Sequence, residues 1–217
     1  MPEDLHHHAT LVDQRESQRP KTVRARHAAS LLVWRAAVET TEILMGMRGA
    51  RHRFMPNRLV FPGGAVDRAD LSAPFVTGLS HRTEAALRRN ANAKLAHGLG
   101  VAAARELMEE TGLSLGFPPA LDGLDYLARA VTPTDSPIRF NARFFCIHAS
   151  RVTGTLGGDG ELDNLRYYGM TEALALDLAG PTRRMLEQLR TWLTLSDAER
   201  EKRTHVPVLK DRGWRLE

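Results

Sequence analysis

The strongest constraint in this chain is residues 105–113, Arg-Glu-Leu-Met-Glu-Glu-Thr-Gly-Leu. The run from Val101 to Thr111 is rich in Ala, Leu, Met and Glu and stops at Gly112, which predicts a helix. On that helix Glu106, Glu109 and Glu110 stand at i, i+3 and i+4 and share one face. Like charges so placed destabilise a helix unless a cation sits among them. A hard divalent ion, bound through oxygen, suits three carboxylates. Arg105, at i to i+4 from Glu109, can hold that side chain by a charge-assisted contact. Ala104 and Met108 occupy the other face and are expected to lie on a core. A solvated acidic helix face would carry the same charges, so the cluster alone does not make a site.

The wider charge pattern sharpens the reading. The 217-residue chain has 30 Lys+Arg against 26 Asp+Glu, yet no Lys or Arg falls between Glu106 and Ala128. A pI near 9.6 admits a nucleic-acid partner. The arginines are spread along the chain, however, and aromatics are only 6%, so the excess charge better suits steering of a small, multiply anionic substrate.

The pattern Arg-Glu-apolar-x-Glu-Glu-x-Gly-apolar, satisfied throughout by residues 105–113, resembles the second half of the Nudix box. The first half of that box is a Gly followed six positions on by Glu. Here Gly64 is followed by Asp70, one methylene shorter. Gly64 lies 41 residues before Arg105 where the uninterrupted box has 14, so 27 residues are inserted between the halves. The resemblance covers residues 23–180 and implies an α+β fold, the Nudix α/β/α sandwich, with a helical insertion and C-terminal helices. It also implies that Glu106, Glu109, Glu110 and the Gly63 carbonyl bind Mg²⁺ or Mn²⁺, that Arg105 orients the cluster, and that Asp70 is structural. The general base would be Glu109 or Glu161, the latter delivered by the loop Gly157-Gly158-Asp159-Gly160.

A second resemblance lies upstream. Arg48-Gly49, Arg53, Asn57 and Phe61-Pro62-Gly63-Gly64 follow the spacing of a signature in coenzyme A-cleaving Nudix enzymes, with Asn57 in place of a Gly and Gly49 in place of Ser or Ala. The branch most resembled is the mammalian peroxisomal type and its bacterial relatives. Arg48 and Arg53 offer donor forks for a phosphate. Arg139 and Arg143, alternate residues of a strand, are further substrate candidates, on one face with Asn141 and opposite Phe140, Ala142 and Phe144.

In chain order, residues 1–22 read as a flexible polar tail bearing His6-His7-His8, and 23–217 as the Nudix hydrolase domain. Ala28–Trp34, Glu42–Met47, Leu59–Phe61, Tyr126–Val131 and Arg139–His148 predict strands. Residues 71–100 form the insertion, helical from about Ser80 to His97 and expected as a flap beside the site, with covering substrate, making a homodimer contact and only filling space all left open. Residues 181–217 form a helical extension and tail: Pro181 opens a helix with the stripe Met185, Leu186, Leu189, Trp192 and Leu193, and Ser196 to Glu199 is a capping box. Val206-Pro207-Val208 is expected on the surface. Cys146 reads as a core thiol. No apolar run is long enough to span a membrane, and a cytoplasmic location is expected by default.

The function expected is metal-dependent hydrolysis of a small-molecule diphosphate, a nucleoside diphosphate linked to another moiety. Coenzyme A or acyl-CoA comes first, then ADP-ribose or a dinucleotide. The alternatives are a non-catalytic nucleotide-sensing module and a basic nucleic-acid binder.

Overall fold

In a computed structural model, residues 23–49, 56–157, 160–211 and 213–217 are described. The predicted tail and Arg53 therefore lie outside the described residues. Strand β1 (Arg26–Ala36) turns back into β2 (Thr41–Arg48), and β3 (Leu59–Val60) and β4 (Gly63–Ala65) follow. The insertion supplies α1 (His81–Leu87) and the start of α2 (Ala93–Thr111), after which come β5 (Leu113–Ser114), β6 (Asp125–Val131) and β7 (Phe140–His148). Then β8 (Thr153–Gly154) and β9 (Leu162–Gly169) lead to α3 (Met170–Ala175), α4 (Gly180–Thr194) and α5 (Asp197–Glu201). A last hairpin is made of β10 (Pro207–Lys210) and β11 (Gly213–Leu216).

Period-2 alternation decides the layers. Along β1, Leu31 and Val33 face one core and Leu32 the other; along β7, Phe145 and Ile147 join the first while Cys146 joins the second. The first core is closed by Leu99, Ala103 and Leu107 of α2, the second by Met185, Leu186, Leu189 and Trp192 of α4. The result is helix, sheet, helix. The main sheet runs β11-β10-β6-β7-β1-β2-β3, with β4 also on β1 and β9 on β2. In it β1 lies parallel to β7 and antiparallel to β2. This α+β arrangement is the one the sequence led us to expect.

Three expectations are corrected. The insertion is not a helix from Ser80 to His97: α1 ends at Leu87, and α2 starts at Ala93 under an Asn92 cap and runs unbroken through Gly98 and Gly100. Those glycines are sites of close approach, since a Cβ on Gly98 would meet Leu71 at 2.7 Å and one on Gly100 would meet Leu79 at 3.1 Å. The helical part of the insertion packs on the core through Leu87 and Leu99, both fully buried, while Phe75 and Val76 of its opening loop stay exposed. Leu87→Ala should cost about 2–4 kcal/mol in urea unfolding; a change within about 0.5 kcal/mol, as for a surface residue, would restore the flap.

Val206 and Val208 are buried, and β10 pairs parallel to β6, so the C-terminal segment is a sheet strand rather than surface. Met108 is half exposed, and Leu107 takes the core position instead. Other details follow the sequence closely: Cys146 is buried, Pro181 stands in the first turn of α4, and Ser196 with Glu199 forms a capping box. Among the described residues no helix is long and apolar enough to cross a membrane.

Candidate active site

The acidic end of α2 lies against the turn entering β4. The Gly63 N–H donates to Glu110 Oε2 at 2.8 Å. A Cβ on Gly64 would stand 2.3 Å from Glu106 Oε1, and one on Gly63 would strike Ala29 O at 2.5 Å. Only a glycine pair lets the strand approach the carboxylates this closely.

Arg105 is the hub. It grips Asp70 with two parallel bonds, Nε to Oδ1 at 3.0 Å and Nη2 to Oδ2 at 3.1 Å, and gives a third to Ala65 O at 3.0 Å. Nη1 reaches Glu106 Oε1 at 2.9 Å and Glu109 Oε2 at 2.8 Å. Asp70 is buried and also accepts the Asp67 N–H at 2.8 Å. A guanidinium fork suits this bidentate task. Burial opposes the charge on Arg105, but the bonds to Asp70 and the charges of Glu106, Asp70 and Glu109 raise its pKa.

Electrostatic strain falls on the glutamates. Burial pushes Glu110 up to about 8, opposed by the Gly63 N–H and Arg48 and reinforced by the charges of Glu106 and Glu161. Burial also raises Glu106, with Arg105 opposing. Arg48 stands 3.8 Å from Glu110 and 3.9 Å from Glu161, so Glu161 lies beside the cluster. Among the described residues no three His, Cys, Asp or Glu side chains form a ready metal cage. The donor chemistry nonetheless fits a hard divalent cation: an all-oxygen set, partly buried, with one carboxylate, Glu110, whose ionisation is opposed first by burial and then by the charges of Glu106 and Glu161.

Beside Gly63 and Gly64 opens a cavity of about 550 Å³. Its walls are largely apolar, including Val60, Phe61, Phe140, Phe144 and Leu209, with Arg48 on one side and the first turn of α4 on another. Arg139 and Arg143 do not line it. Strand alternation was read properly, but the face turned to the cavity is that of Phe140, Ala142 and Phe144. Arg143 is fully buried and bonds Asn90 Oδ1 at 2.9 Å, Asn141 O at 2.9 Å and His27 Nδ1 at 3.0 Å. Arg139 donates to Thr132 O and Val23 O. Arg143 also pairs across the sheet with Arg129, whose counter-ion is Glu217. The sequence reading missed Arg129, Glu217 and the α4 residues of the cavity, because each acts across long sequence separation and carries no local pattern.

An α/β/α sandwich with a glutamate-bearing helix set on a Gly-Gly turn is the architecture of one class of proteins. The NUDIX domain model matches residues 97–207. This chain belongs to that family. The match begins within α2, in the last residues of the insertion that separates Gly64 from Arg105. Nudix hydrolase 7 of Caenorhabditis elegans is 38% identical over 88 residues, which are 41% of this chain and 22% of that protein. The chain thus spans well under half of that relative's length. A NUDIX hydrolase from Alicyclobacillus acidocaldarius superposes with a TM-score of 0.59 at 25% identity, over 76% of this chain and 90% of that one. The NUDIX domain of Shewanella oneidensis NrtR, complexed with ADP ribose, gives 0.53 at 15% identity over 82% and 95%, a likeness of fold.

Proposed function

We propose that residues 23–217 form one Nudix hydrolase domain that cleaves a diphosphate linkage in a nucleoside diphosphate joined to another moiety, with coenzyme A or an acyl-CoA as preferred substrate. The observation that carries this is the Arg105 hub, which holds Glu106 and Glu109 beside the buried Glu110 on the Gly63-Gly64 turn. A pure binding module has no need of a buried carboxylate as poorly matched by a cation as Glu110.

Glu106, Glu109, Glu110 and the Gly63 carbonyl would hold Mg²⁺ or Mn²⁺. When bound, such an ion supplies charge neutralisation and Lewis acidity at the diphosphate. The chain's own part is positional and acid-base. Arg105 fixes Glu106 and Glu109. Glu109, half exposed, or Glu161, beside Arg48, takes the proton of the attacking water. Water oxygen bonds to one phosphorus as the bridging P–O bond breaks, giving two phosphomonoesters, for coenzyme A 3′,5′-ADP and phosphopantetheine. Arg48 lines the cavity beside the turn and can meet a substrate phosphate. Arg53, outside the described residues, is the second arginine of the resembled signature and a further candidate for that contact.

The test is a hydrolysis panel of coenzyme A, acetyl-CoA, ADP-ribose, NADH, diadenosine polyphosphates and nucleoside triphosphates with Mg²⁺ or Mn²⁺. Metal-dependent cleavage of coenzyme A, lowered about 10²–10⁴-fold by Glu109→Gln if that residue is the base, is expected. An equal loss in Glu161→Gln instead would transfer that role. Cleavage confined to ADP-ribose, the ligand of the NrtR domain, would keep the chemistry and remove the coenzyme A assignment.

A further inference from the structure

Five polar side chains line the cavity beside the Gly63-Gly64 turn: Ser30, Arg48, Thr132, Thr182 and Arg184. Three are engaged. The Ser30 hydroxyl donates to Pro62 O at 2.9 Å, Thr132 Oγ1 accepts the Phe140 N–H at 3.0 Å, and Arg48 faces Glu110 and Glu161. Thr182 and Arg184 differ. Thr182 is only 5% exposed, yet its hydroxyl has no hydrogen-bond partner among the described residues while its side chain borders the cavity. Arg184, half-buried on the same wall, likewise has neither ion pair nor hydrogen bond among the described residues.

Both belong to the opening turns of α4, a helix of 15 residues whose N-terminus receives no side-chain cap. Its first N–H groups have no acceptor within the helix, and the dipole favours an anion there. A guanidinium fork, a hydroxyl and amide donors therefore converge on an apolar cavity lined by no carboxylate. The Thr182 hydroxyl has no protein partner among the described residues and opens on the cavity, so its donor is available to a ligand bound there. The combination suits a tetrahedral oxyanion with several acceptor oxygens.

We propose that Arg184, Thr182 and the first turn of α4 form a subsite for a phosphomonoester carried by the substrate at a distance from its diphosphate, the apolar wall taking the moiety between. This rests on the diphosphatase reading for its substrate, but its binding test does not. A specificity-determining residue in this position would separate substrates that differ by a single phosphate.

Titration calorimetry of the metal-free protein compares 3′,5′-ADP with 5′-AMP. The first should bind about tenfold more tightly, as one charge-assisted contact allows. Arg184→Gln and the near-isosteric Thr182→Val should each bring the ratio toward one. Equal affinities in the unsubstituted protein, or a ratio unmoved by both substitutions, would overturn the subsite. Arg184-dependent binding of inorganic phosphate, with no advantage for 3′,5′-ADP, would identify a free-phosphate site and overturn the substrate assignment. With Mg²⁺, kcat/KM for coenzyme A over dephospho-coenzyme A should fall in Arg184→Gln, chiefly through KM. Hydrolysis of neither compound would remove the proposed function and leave the binding comparison to decide the subsite.

Discussion

Glu110→Gln is expected to lower kcat by about 10³-fold or more and, in the metal-free protein at pH 8, to raise stability by on the order of 2 kcal/mol. The two effects have one cause. Glu110 is 2% exposed, takes one N–H from Gly63 and has Arg48 no closer than 3.8 Å, while Glu106 and Glu161 repel its charge. Folding thus places a carboxylate where ionisation is unfavourable unless a further cation arrives. Gln keeps the acceptor for Gly63 and deletes the charge, so the metal-free fold is relieved and the proposed ion loses a ligand. A variant less stable than its parent at pH 8 would show that Glu110 is ionised and matched in place.

The pH dependence follows in sign. In the unfolded chain Glu110 titrates near its ordinary 4.5 and in the fold near 8. Between those values the native state binds more protons than the unfolded state, so stability falls as pH rises. Its contribution is whole below about 4.5 and lost by about 8, and the upward shift of Glu106 acts in the same direction. Thermal melts of the metal-free protein across this window should decline. In Glu110→Gln the decline should be shallower. A divalent ion should restore stability most at the alkaline end, where both carboxylates are ionised.

What the sequence reveals divides by range. The glutamate triplet and Arg105 are legible because i, i+3 and i+4 positions meet within one helix, and the glycine pair because close approach leaves few substitutes. The strands are legible because alternation separates Leu31 and Val33 from Leu32. Asn57, which stands where the resembled signature has a Gly, has φ 54°, a left-handed conformation that Asn tolerates better than most residues. The length of α2 was hidden because Gly98 and Gly100 look like breakers, whereas they are recesses for Leu71 and Leu79. Strand β10 was hidden because its partner, β6, lies some eighty residues earlier, and Pro207 argues locally against a strand.

Alternation also told which residues of β7 share a face but could not tell which face meets the cavity. That depends on where α4 packs, so Arg143 was read as a substrate contact and is a buried cross-strand partner of Arg129. Thr182 and Arg184 were invisible for the same reason. A helix stripe announces what is buried against the sheet and says nothing of a gap left at the first turn.

Arg105→Met should be the most damaging single change to the fold, costing about 3–5 kcal/mol as expected when one partner of a buried ion pair is removed. The substitution strands Asp70, 2% exposed, and frees Glu106 and Glu109 to repel one another. Asp70→Asn in the same chain deletes the stranded charge, so the double variant should regain about 1–3 kcal/mol over Arg105→Met in urea unfolding, the coupling of groups that share a bond. Hydrolysis should not return with it. Asp70 serves the fold through Arg105, whereas the glutamates need Arg105 itself to hold them. Strictly additive stabilities would refute the hub, and recovery of activity in the double variant would show that Glu106 and Glu109 reach working positions without it.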